Sequence, residues 1–199
     1  MKRPSMHVAG GYVKRALLAL SVAGLSLTAN PTAGLAQASD TVAPSVEISQ
    51  ATATLRVLAY NIRHGQGNDD VIDLERAARV INALRPDIVA LQEVDSVVER
   101  TGGVDQATVL GQLTGMKSVF GAFFDYQGGR YGMALLSKYR VVSYENQRLP
   151  DGLEPRTALA VTVRVGEPAR EIIVAGIHFY ATAEERYAQA SRLIEVYRN

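Results

Sequence analysis

The sequence predicts an α/β fold, a sandwich of two β-sheets with helices on the outside. Three observations lead there. An apolar run, an amphipathic helical pattern and a second apolar run follow one another between residues 55 and 92, as in the opening of a βαβ unit. Five strand-like runs then crowd between residues 118 and 178, separated by Gly- and Pro-bearing turn signals. The helical patterns lie outside that strand-rich block, so the sheets face each other and the helices cover them.

The elements follow in order. Lys2, Arg3, Lys14 and Arg15 form a positive opening, residues 16–27 (ALLALSVAGLSL) a short apolar run, and Asn30-Pro31 a break. Small residues at Ala36 and Ala38 fit signal-peptidase cleavage after Ala38, so residues 1–38 are predicted to be a signal peptide that exports the chain to a periplasm or the medium. The apolar run is about half of the ~20 residues that a spanning helix needs, which argues against a stable membrane anchor. Residues 39–54, rich in Ser, Thr, Ala and Pro, read as a linker. The domain proper is residues 55–199.

Residues 55–60 (LRVLAY) read as a buried strand ending at Asn61. Asp73 caps a helix whose apolar face is Leu74, Ala77, Ala78, Ile81 and Leu84, and Pro86 stops it. Residues 87–92 (DIVALQ) form a strand apolar enough for burial on both faces, ending at Glu93. Asp105 caps a second helix to Leu113, with Gly115 as terminator. Strands follow at 118–124, 133–137, 141–148, 157–165 and 171–178. In the fourth of these, Thr157, Leu159, Val161, Val163 and Val165 share one parity, which predicts a single dominant buried face. Thr182 caps a last helix.

Composition narrows the function classes. With 47% hydrophobic and 21% charged residues the chain has a globular balance, neither disordered nor collagen-like. A net charge of +1 gives the whole no strong attraction to nucleic acid or anionic membrane. The absence of Cys excludes disulfides, thiolate nucleophiles and Cys-ligated metals. The chemistry-bearing residues are the polar ones that end apolar strands: Asn61, Glu93 and His178. Ligand-handling groups collect at strand C-termini in α/β proteins. One carboxylate beside an amide suits magnesium, which takes hard oxygen ligands and keeps several waters. A histidine there is better suited to hydrogen-bond or protonate a phosphoryl oxygen.

Five motifs carry a resemblance. Tyr60-Asn61-Ile62-Arg63, Leu91-Gln92-Glu93-Val94-Asp95, Gly132-Met133-Ala134-Leu135-Leu136-Ser137, Gly176-Ile177-His178-Phe179 and Glu185-Arg186-Tyr187-Ala188-Gln189 resemble, in order, the motifs of the endonuclease/exonuclease/phosphatase family. Any one occurs by chance; five in sequence, each following a predicted element, do not. The family resemblance implies an Mg2+-dependent phosphoesterase, with Mn2+ able to substitute. It implies Glu93 as the main metal carboxylate, Asn61 beside the metal and orienting the phosphate, and His178 on the scissile phosphate. Arg156 and Tyr131 resemble substrate-site residues more weakly, and Arg130 belongs to a loop, residues 125–130, that is a candidate selectivity element. The implied partner is a phosphoester, whether nucleic acid, phospholipid or sugar phosphate; no obligate protein partner is evident.

The family pattern continues with a Gly-Asp-x-Asn motif and a later Asp-His pair whose histidine is the general base. Neither string occurs among these residues. The expectation is therefore a fragment, or a truncated product, of a two-sheet sandwich that stops before its second half and is essentially inactive alone. The alternative is a non-catalytic binding protein on the same fold.

Overall fold

The structure, a computed structural model, describes residues 54–198. The predicted signal peptide and all of the predicted linker but Thr54 lie outside the described residues. No described helix is long and apolar enough to cross a membrane.

Strand β1 (Val57–Asn61) is followed by helix α1 (Leu74–Leu84) and strand β2 (Ile88–Ser96), and β2 pairs with β1 in parallel, closing the expected βαβ unit. Helix α1 starts where Asp73 Oδ1 accepts the Arg76 N–H at 2.8 Å, and ends at Arg85 in the left-handed region. Helix α2 (Gln106–Thr114) is capped by Asp105 and ends at Gly115, whose φ of 68° suits a residue without a Cβ. Strands β3 (Lys117–Tyr126) and β4 (Gly129–Ser137) form a hairpin, and β4 inserts beside β2, giving the order β1-β2-β4-β3. Strands β5 (Arg140–Arg148), β6 (Thr157–Val165) and β7 (Arg170–Ile177) make a second, antiparallel sheet. Helix α3 (Ala183–Tyr197) follows, with Thr182 as its cap.

The two sheets pack face to face. Ile88, Ala90, Met133 and Leu135 from the first meet Leu159, Val161, Val163 and Val165 from the second. The opposite face of the first sheet, through Val89, Leu91, Ala134 and Leu136, buries Ala77, Ala78 and Ile81 of α1 and Leu110 of α2. The outer face of the second sheet takes α3, where Ala158 and Leu149 meet Leu193. The layers therefore run helix, sheet, sheet, helix.

Three expectations are corrected. Strand β2 does not stop at Gln92; it runs on through Glu93 to Ser96, across an irregularity in its pairing with β4. Strand β6 keeps its dominant buried face, but the other face is buried too at one end, where Ala158 packs with Leu193 of α3 and Ala160 is also buried. Residues 125–130 are not an open loop: Tyr126 pairs with Gly129, so only Gln127 and Gly128, both at positive φ, make the turn.

Candidate functional site

Asn61 is the last residue of β1 and His178 the first after β7, so two of the three predicted strand-end residues stand where their strands stop. Glu93 arrives differently. Gln92 pairs with Met133 and Val94 with Gly132, leaving Glu93 unpaired as a β-bulge with φ 59°. A second bulge lies across β4: Ala122 pairs with Gly132 and Phe124 with Tyr131, leaving Phe123 unpaired. Gly132 is the neighbour common to both bulges, and a Cβ there would stand 2.1 Å from the Gly121 carbonyl oxygen. Only glycine lets the strands approach this closely.

The bulge turns Glu93 towards the other two residues. Asn61 Nδ2 donates to Glu93 Oε1 at 2.7 Å, while Asn61 Oδ1 accepts the Arg63 N–H at 3.0 Å. His178 Nε2 stands 3.6 Å from the same Oε1. That separation is longer than a good hydrogen bond, so the contact is electrostatic rather than a well-formed hydrogen bond. His178, ahead of the Asn61 amide, holds the Glu93 carboxyl down to about 2, against the opposing effect of burial. The His178 ring stacks on Phe123, the residue of the second bulge, at 6.4 Å between centroids.

Tyr131 and Arg156 belong to the same neighbourhood. Tyr131 meets Phe123 edge-on at 5.9 Å, and its hydroxyl is pushed up to about 12, by burial first and by the charge of Glu93 second. The Arg156 guanidinium lies 4.9 Å from the Phe123 ring centre and 5.3 Å from that of Tyr180. It is 5% exposed, and a salt bridge runs from its Nη2 to Glu154 at 2.8 Å. Among the described residues its Nε and Nη1 have no hydrogen-bond partner, and neither has the buried Thr157 hydroxyl. Since Ala158 pairs with Ile177, Thr157 lies across from His178 one step along the register. Unpartnered buried donors are uncommon and point to a missing acceptor. Arg130 is not brought into this group. Its side chain leaves the opposite face of β4 from Tyr131 and sits 5.9 Å over Phe120, beside a shallow cleft lined by Ser96, Val97 and Asp125.

Several residues here receive no role in the sequence reading. Phe123 and Thr157 carry no motif signature; only their flanks do. His64, in the strained pair with Arg63 (φ 45° and 46°), is half-buried, and burial ahead of the Arg100 charge pulls its ring below the usual histidine range. Asp95, fully buried, is held by Arg100 through two bonds of 2.8 Å.

As a place for a metal, the group offers oxygen donors. Among the described residues no three His, Cys, Asp or Glu side chains cluster as a protein cage. One half-exposed carboxylate whose Oε2 takes no hydrogen bond among the described residues, next to an amide, is the sparse hard-oxygen set that suits magnesium, which keeps most of its waters. The residues present fit such an ion.

The chain matches the Endonuclease/Exonuclease/phosphatase family over residues 58–197. No curated protein matches it. Among solved structures it is similar to an endonuclease/exonuclease/phosphatase from Beutenbergia cavernae, at 25% identity and a TM-score of 0.59, over 71% of this chain and 43% of that one. It is also similar to truncated TDP2 of Caenorhabditis elegans, at 21% identity and a TM-score of 0.56, over 72% of this chain and 55% of that one. A third is the human Nocturnin catalytic domain with bound sulfate, at 23% and 0.52, over 73% and 58%. The chain thus spans about half the length of these structures.

Proposed function

Because the chain belongs to the endonuclease/exonuclease/phosphatase family, whose fold implies phosphoesterase or nuclease-like hydrolysis, we propose that it carries the metal- and phosphate-holding half of an exported phosphoesterase site. The observation that carries this is the Glu93 bulge, which holds a carboxylate in a strained conformation against Asn61 and His178.

Glu93 would hold a divalent ion, Mg2+ or Mn2+, with Asn61 fixing the carboxylate through Nδ2. When bound, the ion would neutralise charge on the phosphoryl group. The residues of the chain do the rest. His178 donates from its ring to a phosphoryl oxygen. Arg156 and the Thr157 hydroxyl supply buried donors on the same side, and a phosphoryl oxygen would satisfy groups that lack partners among the described residues. Tyr131 and Phe123 wall the site and shield these charges from water, which strengthens each contact. The positive opening of the chain, its short apolar run and Ala36 and Ala38 support export. N-terminal sequencing of the mature protein from the host should begin at Ser39.

The sequence holds neither a Gly-Asp-x-Asn nor an Asp-His string. A second reading is a binding protein on the same fold, without turnover. Isothermal titration of the full chain with MnCl2, and hydrolysis of bis-p-nitrophenyl phosphate with MgCl2, test both. Metal binding that Glu93→Ala abolishes supports the site. Turnover then decides between enzyme and binding protein. An unaltered metal affinity in Glu93→Ala would sink the proposal.

A further inference from the structure

Gln106 is the first residue of α2 and fully buried, and both ends of its amide are hydrogen-bonded. Its Nε2 donates to the His64 carbonyl at 2.7 Å, and its Oε1 accepts the Asp95 N–H at 3.0 Å. The amide orientation is fixed by chemistry, since a carbonyl needs a donor and an N–H an acceptor. One side chain therefore ties together two chain segments distant in sequence. The first is the strained Arg63-His64 turn directly after Asn61; the second is the stretch directly after the Glu93 bulge.

Among the described residues each segment lacks a strand partner on this side. The His64 carbonyl lies in a short helical turn, and Asp95, paired with Tyr131 on its β4 side, lies beyond the last β1 pair, Asn61–Gln92. Helix α2 is itself anchored beside the bulge, by the Ser96–Asp105 bridge and by the Val97 N–H on the Val104 carbonyl at 3.0 Å. The opposite side of the same stretch is held by Arg100 on Asp95, with Arg100 lying over the rings of Tyr126 and Tyr131.

We infer that Gln106 is a positioning residue: its amide sets the distance between the Asn61 turn and the Glu93 bulge, and so holds the Asn61–Glu93 pair in register. The consequence for metal affinity rests on the function proposed above. The geometric claim does not, and the experiment separates them. Gln106→Leu removes both hydrogen bonds. Gln106→Glu keeps the acceptor for Asp95 and sets an oxygen against the His64 carbonyl. Leu110→Ala, a fully buried residue of the same helix, serves as a control for stability alone.

In nitrogen-proton NMR of the full chain without metal, both Gln106 variants should shift the Asn61 side-chain amide signal. Gln106→Leu should speed hydrogen exchange at Gly65 and Asp95 alike. Gln106→Glu should speed it at Gly65 more than at Asp95, an asymmetry that a general loss of stability cannot produce. Mn2+ affinity should fall by roughly tenfold or more in both, the usual size for a group that orients a ligand. Leu110→Ala should lower the melting temperature and leave the Asn61 signal in place. An unmoved Asn61 signal in Gln106→Leu, or in Gln106→Glu should the first variant not fold, overturns the inference. If the unmodified chain binds no Mn2+, the metal proposal falls while the Asn61 signal still decides this one.

Discussion

In the three-stranded sheet, β6 and β7 stay paired without a break from Ala158–Ile177 to Val165–Arg170, and His178 is delivered because the strand ends. In the four-stranded sheet, pairing fails twice around Gly132, and those failures place Glu93 and Phe123. The three-stranded sheet has an irregularity of its own, between Val141 and Ser143. It lies on the edge strand, at the end remote from His178, and leaves Val142 exposed. The contrast separates two ways of aiming a side chain. A strand end costs nothing in hydrogen bonds, whereas a bulge gives up ladder pairing and accepts a left-handed backbone. The sandwich uses the costly device on the sheet that faces the candidate site, and the remaining core must support it.

The comparison can be broken most forcefully in the regular sheet. Leu159 is fully buried between the sheets, and Leu159→Ala should cost about 2–5 kcal/mol in a urea titration. Because its strand runs in register, the Asn61–Glu93 pair should persist and Mn2+ affinity should be unchanged in the folded fraction. Gly132→Ala should cost somewhat less, about 1–3 kcal/mol for an overpacked backbone contact. It should nonetheless impair metal binding, since the added Cβ meets the β3 backbone at Gly121 and Ala122, beside the Phe123 bulge. If the smaller loss of stability leaves metal binding intact, Gly132 is not the pivot of the bulges and the contrast fails.

The same contrast explains what could be read in the sequence. Asp73, Asp105 and Thr182 announce helices through local chemistry, each accepting a backbone N–H three residues on, and all three are observed caps. Asn61 and His178 were legible because an apolar run followed by a polar residue marks a strand end. Glu93 was legible as a chemical type, but its strand was expected to stop at Gln92. A Glu in a left-handed bulge has no local signature; its conformation is imposed by β4 through Gly132. Phe123 was hidden among apolar neighbours for the same reason. Arg130 reads in the sequence as part of a selectivity loop, but it lies in β4, where strand alternation puts it on the opposite face from Tyr131. Gln106 was invisible because its partners, His64 and Asp95, are backbone groups brought together only by the fold.

A gentler probe addresses how far the two sheets depend on their own helices. Thr182 accepts the Glu185 N–H and donates to the Glu185 carboxylate, starting the helix that covers the three-stranded sheet. Thr182→Ala should cost about 1 kcal/mol in a urea titration. Hydrogen exchange should rise in α3 and leave Gly65 and Asp95 as protected as before, because α3 packs on Leu149 and Ala158, on the outer side of the three-stranded sheet.

The smallest effect belongs to the surface turn before α1. Arg76 bonds both oxygens of Asp69, at 2.8 and 3.1 Å, and with the Val71 N–H holds that carboxyl down to about 2. A carboxylate depressed in the folded state adds stability above the ordinary aspartate range, and the contribution fades as pH falls through its folded value. Asp69→Asn should therefore be slightly less stable than the parent chain near neutral pH and indistinguishable from it near pH 2. The pair is solvent-exposed, so the neutral-pH difference should also shrink in concentrated salt. Urea midpoints at the two pH values, with and without added NaCl, check this. A difference that survives at low pH would mean that Asp69 acts by shaping the turn through Val71 rather than by its charge, and the entry to α1 would then belong with the geometric devices of the four-stranded sheet.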